Sequence, residues 1–158
     1  MPLQGNPDST NTVRDYFNHG YKFAGIITPM KSLLLIAHGS RREASNDEVR
    51  QVAKRLGDEV NGAFDQVECA FLELAEPSIP DGIRRAIQSG ATQVVVLPYF
   101  LSAGRHVAED IPNEVGIVRK ERPDITITVA PYLGAADGLT GILLQQAQGE
   151  QDSTTSAN

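Results

Sequence analysis

The stretch LLLIAHGSRR, from Leu33 to Arg42, combines a run of apolar residues with a polar end. Four large apolar residues and an alanine are followed at once by histidine, glycine, serine and two arginines. A continuous apolar run of this length predicts a strand that is covered on both faces, as in a parallel sheet. The polar residues from His38 onward are therefore expected at the carboxyl end of a buried strand.

Three further apolar runs predict strands, and each is separated from the next by a segment with helical spacing. The runs lie at 67–72, at QVVVLP (93–98) and at ITITVAP (125–131). The resulting β-α-β-α-β-α-β-α order predicts an α/β single domain with a doubly wound parallel four-stranded sheet and helices on both faces. All four strands read as too apolar to be half exposed.

Several residues mark the expected helix ends. Ser45 and Glu48 have the spacing of a capping box, and Ser78 is expected to cap the second helix, with Pro80 in its first turn. Gly90 suits the residue that follows that helix, and Asp110 is interpreted as the cap of the third. The last helix is predicted from three apolar residues, which are Leu139, Ile142 and Leu143.

The two ends of the chain differ from the part between them. Residues 1–30 are polar and rich in Pro, Gly and Asn, so we expect a mobile extension before a domain at 31–148. Residues 149–158 are expected to be a disordered polar tail. Met30 directly precedes the first strand, and the hypothesis follows that it is the native start.

Composition excludes some classes of protein. The formal net charge of -6 argues against a nucleic-acid binder. No uncharged apolar stretch reaches the roughly 18 residues that a membrane span needs, so no membrane partner is expected. The single cysteine, Cys69, is interpreted as a buried structural thiol, and the absence of a possible internal disulfide favours the cytoplasm.

The residues capable of chemistry follow the predicted strands. Glu73 and Glu76 come after the second strand, while Tyr99 and the segment Ser102–His106 come after the third. Ligands of open α/β sheets bind outside the carboxyl ends of the strands, so these residues and His38 are expected at one ligand-binding edge. Spacing alone also allows simpler interpretations of these residues. Glu76 is then a loop residue, the arginines are solvated surface charges, and Tyr99 lines a pocket or belongs to the hydrophobic core.

Four segments together resemble the sirohydrochlorin chelatases of the short CbiX/SirB type. They are AHGSRREASNDEV, VECAFLELAEPSIPDGI, GATQVVVLPYFLSAGRHVAEDIP and PYLGAADGL, and the resemblance covers roughly residues 31–147. It implies a chelatase-like fold, a homodimer, and insertion of a divalent metal substrate, with Co²⁺ favoured and Fe²⁺ next, into sirohydrochlorin. No nucleotide is expected, which agrees with the missing phosphate-binding loops.

The resemblance also implies roles for individual residues. His38 and His106 fall on the metal and catalytic positions, and Glu73 on the acidic catalytic position. Arginine and hydroxyl side chains suit the substrate carboxylates, so substrate binding is expected at Ser40, Arg41, Arg42, Ser102 and Arg105. Two alternatives remain open: a carrier that holds metal without catalysis, and a phosphohydrolase with His38 as its nucleophile.

Overall fold

A computed structural model describes residues 29–149 and shows strands and helices in alternation. The strands are β1 (Met30–Ala37), β2 (Gln66–Phe71), β3 (Ala91–Pro98) and β4 (Thr126–Val129). The α-helices are α1 (Glu43–Glu59), α2 (Ile79–Gln88), α3 (Ile111–Glu121) and α4 (Leu139–Gln148). A π-helical turn (His106–Asp110) precedes α3, and a 3₁₀ turn (Leu133–Ala135) precedes α4. The predicted extension and tail lie outside the described residues, apart from their inner ends.

The four strands form one parallel sheet in the order β2-β1-β3-β4. From β1 the chain moves to one side to form β2 and then to the other side to form β3. The strand order therefore reverses between β1 and β3, and the carboxyl ends of these two strands flank the crevice where doubly wound folds bind ligands.

Helices cover both faces of the sheet, as predicted. Gly57 of α1 lies against Val67 of β2, whereas Gly82 of α2 lies against Ala70 of the same strand. Successive strand residues point to opposite faces, so residues 67 and 70 belong to different faces. The main apolar core lies under α2 and α3, and its fully buried members include Leu34, Ile36, Ile83, Val94, Val96, Ile111 and Val115.

The helix ends confirm part of the prediction and correct part of it. Ser78 caps α2 by accepting a hydrogen bond from the Asp81 amide, and Gly90 follows that helix with φ of 106°. The capping box at Ser45 is wrong, because α1 begins at Glu43 and no side chain caps it. This helix start is instead organised by Asn46, whose buried amide side chain binds the preceding loop.

The expectation that no strand is half exposed is wrong for β4. Its residues Thr126 and Thr128 are exposed, and the strand is four residues long. One row across the sheet runs from Val67 through Leu33 and Val95 to Thr128. Helix α1 covers the end of this row that lies on β2. The side chains become more exposed toward β4, from the buried Leu33 through the half-buried Val95 to the exposed Thr128. The sheet is thus incompletely covered on its α1 face, over β3 and β4.

The last helix is present where the apolar spacing predicted it, but it buries none of its residues. Its side chains Ile142, Leu143 and Leu144 are 54%, 58% and 57% exposed. These three side chains form an exposed apolar surface on α4.

Two remaining expectations concern Cys69 and the membrane. Cys69 is a half-buried free thiol, and burial raises its pKa, as suits a structural cysteine of low reactivity. Within residues 29–149, no helix has the length and apolar character required to span a bilayer.

Candidate functional site

The segments that leave β1, β2 and β3 stay hydrogen-bonded to one another beyond the strands. The amide of Glu73 donates to the His38 carbonyl at 3.0 Å, and the amide of Tyr99 donates to the Ile36 carbonyl at 2.7 Å. These bonds extend the parallel pairing past the ends of the strands. They place the residues after β2 and β3 on either side of the segment that follows β1.

His38 and Glu73 are in direct contact. The imidazole Nε2 of His38 lies 3.0 Å from Oε1 of Glu73, and Nδ1 lies 3.1 Å from the Gly39 carbonyl oxygen. Gly39 has φ of 92°, and a Cβ atom there would overlap the Glu73 carbonyl. Only glycine suits this position, because the turn must adopt a left-handed backbone while passing close to the Glu73 main chain.

His106 enters the site from the loop after β3. Its ring meets the His38 ring edge to face, with 4.9 Å between the centroids and 76° between the planes. Phe100 also lies near His106, with a centroid separation of 6.5 Å. The structure thus brings together the two histidines and the glutamate that the sequence singled out, while their chemical roles stay a prediction.

Asp110 is a site residue whose side chain does not have the predicted capping role. It occupies the cap position expected for the third helix, but its side chain makes no capping hydrogen bond. Its Oδ2 atom lies instead 2.8 Å from Nδ1 of His106. The signal for this contact was present in the i, i+4 spacing of the two residues, which places side chains on the same side of a helical turn.

Ser40 is held in place by the side chain of Asn46. The Asn46 amide oxygen accepts from the Ser40 amide at 2.9 Å, and its nitrogen donates to the Ser40 carbonyl at 2.8 Å. The Ser40 hydroxyl accepts from the Arg42 amide at 3.1 Å. Sequence reasoning missed Asn46, because a polar residue on a helix is ordinarily read as solvent-facing.

The predicted substrate-binding cations differ in their surroundings. Arg41 and Arg42 are exposed, and neither side chain forms an ion pair with any residue between 29 and 149. Arg105 is 78% exposed and lies 3.7 Å from carboxylate oxygens of both Glu109 and Asp110. The first two arginines are available to an anion without breaking a bond, while Arg105 already has acidic neighbours.

The loop that carries Ser102 and Arg105 is supported from the β4 side. The Gly134 amide donates to the Phe100 carbonyl at 2.9 Å, and a Cβ at this position would overlap the Leu101 carbonyl. Ser102 itself is exposed, and Leu101 is 70% exposed. Close backbone contact at Gly134 therefore sets the path of the loop that leads to His106.

An open cavity of about 250 Å³ lies beside His106. It is lined by Leu72, Glu73, His106, Asp110, Asn113 and Glu114. Within residues 29–149, no set of three or more His, Cys, Asp or Glu side chains is arranged to hold a metal ion. The nitrogen donors of the site are the paired imidazoles, with Glu73 bonded to one of them, and imidazole nitrogen is a common ligand of transition metals.

Several known proteins resemble this chain in sequence or in structure. The chain is 40% identical over 88 residues to the sirohydrochlorin cobaltochelatase of Methanococcus maripaludis, covering 56% of this chain and 60% of the relative. It is 35% identical over 116 residues to the chloroplastic sirohydrochlorin ferrochelatase of Arabidopsis thaliana, covering 73% of this chain and 51% of the relative. The crystal structure of a CbiX protein from Marinobacter aquaeolei VT8 matches with a TM-score of 0.65 and 28% identity, covering 75% and 94% of the two chains.

The extent of these matches differs between relatives. The chain spans about three fifths of the length of the methanogen enzymes that it matches, and half of the plant enzyme. The CbiX family model matches residues 32–150, which include β2 to β4, all of β1 except its first two residues, and both histidines of the site. On this match, and on the shared parallel fold, the chain belongs to the CbiX family.

Proposed function

We propose that this protein is a sirohydrochlorin chelatase that inserts a divalent metal into the tetrapyrrole. The observation that carries the proposal is the pairing of His38 and His106, 4.9 Å apart between ring centroids, at the switch point of a CbiX-family sheet. Relatives named for this reaction support the choice of substrate.

The reaction requires both a metal donor site and proton acceptors. Two pyrrole N–H bonds break, both protons leave the macrocycle, and its four nitrogens bind the metal, whose oxidation state does not change. Imidazole suits both tasks, because its nitrogen binds transition metals and accepts protons near neutral pH. In this proposal His38 and His106 bind the metal and move protons, and Glu73 acts through its 3.0 Å contact with His38 Nε2.

The carboxylates of sirohydrochlorin need cationic and hydroxyl partners. Arg41 and Arg42 are the main candidates, since both are exposed and follow the strand that carries His38. Ser40 and Ser102 add hydroxyl groups, and Arg105 adds a third guanidinium once it gives up its 3.7 Å contacts with Glu109 and Asp110. Guanidinium binds carboxylates in a two-point geometry, so these residues orient the macrocycle over the histidines.

Cobalt is our first choice of metal and iron our second. Relatives of this chain are named for both, as a cobaltochelatase and as a ferrochelatase. Nitrogen and carboxylate ligands bind both ions without sharp preference, so the availability of the metal contributes to the choice.

We further propose that the active form is a homodimer. Leu143 and Leu144 of α4 are exposed, and the α1 face of the sheet is open over β3 and β4. A second copy that covers these surfaces would bury apolar area on both subunits, as symmetric pairing requires. We also propose a cytoplasmic location. Its support is that the chain has a single, free cysteine, as is usual for proteins of a reducing compartment.

The experiment that tests the proposed function is anaerobic metal insertion by the full-length protein. Sirohydrochlorin absorbance is followed after addition of Co²⁺ or, separately, Fe²⁺, with protein at a small fraction of the substrate concentration. Many turnovers per protein, faster than the reaction without protein, would support an enzyme and rank the two metals. Metal binding with no insertion above the uncatalysed rate would contradict the proposal and favour a carrier.

A further inference from the structure

Asp110 has a position that a helix cap does not explain. It ends the π-helical turn His106–Asp110 and directly precedes α3, yet it caps no backbone amide with its side chain. Its carboxylate is 29% exposed, and one oxygen, Oδ2, lies 2.8 Å from Nδ1 of His106. π-Helical turns are rare and occur frequently at functional sites.

The contact determines which nitrogen of His106 carries the proton. A carboxylate accepts hydrogen bonds and donates none, so the hydrogen of this bond belongs to Nδ1. A neutral imidazole has one N–H, and its other nitrogen then carries a lone pair. In His106 that nitrogen is Nε2, which has no hydrogen-bond partner among residues 29–149.

Arg105 and Phe100 lie beside the pair that Asp110 forms with His106. The other oxygen of Asp110, Oδ1, lies 3.7 Å from Nε of Arg105, while Phe100 flanks the His106 ring. His38 differs, because both its nitrogens already face oxygen atoms, one from Gly39 and one from Glu73. His106 is thus the site histidine with one nitrogen unengaged.

We infer that Asp110 is a positioning residue, which holds His106 in the Nδ1–H tautomer so that the Nε2 lone pair is presented to the incoming metal. The catalytic consequence of this inference rests on the proposed function, whereas the tautomer of His106 can be measured in the metal-free protein. A histidine that binds metal through one nitrogen commonly donates its other N–H to a carboxylate, which orients the ring and increases its basicity.

The direct test is nitrogen NMR of the metal-free, full-length protein with ¹⁵N-labelled histidine. The His106 signals are assigned by their loss in His106→Gln. We expect the shift of a protonated Nδ1 and an unprotonated Nε2 in the wild type. Asp110→Asn should move His106 toward the Nε2–H form, because an amide can donate to Nδ1. A wild-type His106 in the Nε2–H tautomer, or a variant with unchanged shifts, would overturn the inference.

Kinetics supply the second test, with a matched control in the same turn. Glu109→Gln removes the same charge beside Arg105, but among residues 29–149 it is Asp110, not Glu109, that pairs with His106. We expect Asp110→Asn to lower kcat for Co²⁺ insertion by about tenfold to a hundredfold with KM for sirohydrochlorin nearly unchanged, and Asp110→Glu to recover part of the loss. Glu109→Gln should retain wild-type kcat. Equal losses in the two amide variants would contradict the inference.

The two tests separate this inference from the proposed function. If wild-type protein inserts no metal, the proposed function fails while NMR still decides the tautomer. If the wild type is active and its His106 has the opposite tautomer, the positioning role fails and the chelatase stands.

Discussion

The rings of His38 and His106 meet edge to face, 4.9 Å apart between centroids, although 67 residues separate them in the chain. The contact arises because β1 and β3 are adjacent parallel strands whose carboxyl ends lie together. Each histidine contacts a different carboxylate, Glu73 for His38 and Asp110 for His106. The pair therefore joins two His–carboxylate units across the switch point of the sheet.

Glu73→Gln should lower kcat for metal insertion by about a hundredfold, because the amide keeps the side-chain shape and loses the carboxylate that faces His38 Nε2. Steady-state kinetics with Co²⁺ measure the effect. Glu76→Gln is the control, since Glu76 contacts the Ser78 amide in the same loop rather than the histidines. Full activity in Glu73→Gln would remove Glu73 from the catalytic group.

Replacement of both Arg41 and Arg42 by Ala should raise KM for sirohydrochlorin by roughly tenfold or more, because two charge-assisted contacts to carboxylates are lost. The rate at saturating substrate should change little. Arg85→Ala removes an exposed arginine in the second half of α2 and serves as the control. An unchanged KM in the double variant would show that these arginines do not bind the substrate.

Gly39→Ala should abolish activity and destabilise the fold, since the new Cβ meets the Glu73 carbonyl and φ is 92°. Gly62→Ala is a matched control, because Gly62 has φ of 80° and open space around it. The backbone cost alone is about 1–2 kcal/mol, so Gly62→Ala should lose that much unfolding free energy and stay active. Chemical denaturation and turnover measure both. Equal losses of unfolding free energy in the two variants would show that the protein accommodates the new Cβ beside the Glu73 carbonyl at no cost.

Paired substitution of Leu143 and Leu144 by Glu should shift the protein from dimer to monomer, because it places charge on the exposed apolar side chains of α4. Analytical ultracentrifugation of the full chain measures the state. Gln146→Glu with Gln148→Glu adds the same charge to exposed positions on the same helix, and this control should stay dimeric. A wild type that sediments as a monomer would contradict the proposed dimer.

The site was largely readable from the sequence because parallel strands end at a common edge. Once the apolar runs are read as buried strands, His38, Glu73 and the loop before His106 must come close together, whichever way the helices pack. The left-handed turn at Gly39 was not readable in the same way, since it depends on a carbonyl from the segment after β2.

The errors arose where one residue type has two common uses. Asp110 precedes Ile111 and Pro112, which is typical of a helix start, yet its carboxylate binds His106. Asn46 and Ser45 sit side by side, and the buried amide, rather than the predicted serine cap, joins α1 to Ser40. The residue type alone does not decide between a backbone cap and a hydrogen bond to a residue four to six positions away, because both use the same polar atoms.

The sequence also did not predict that the apolar side chains of α4 are exposed. Apolar spacing correctly predicts a helix near Leu139 and Leu143. The same spacing does not state which surface the apolar side chains cover, since a neighbouring subunit buries apolar area as effectively as the chain's own sheet.

The most direct test of the account is the rate of Co²⁺ insertion into sirohydrochlorin by wild type, His38→Ala and His106→Ala under anaerobic conditions. Circular dichroism first confirms that all three proteins fold. We expect multiple turnovers by the wild type and a loss of roughly a hundredfold or more in each variant. A wild type no faster than the uncatalysed reaction, or variants that retain full turnover, would contradict this expectation.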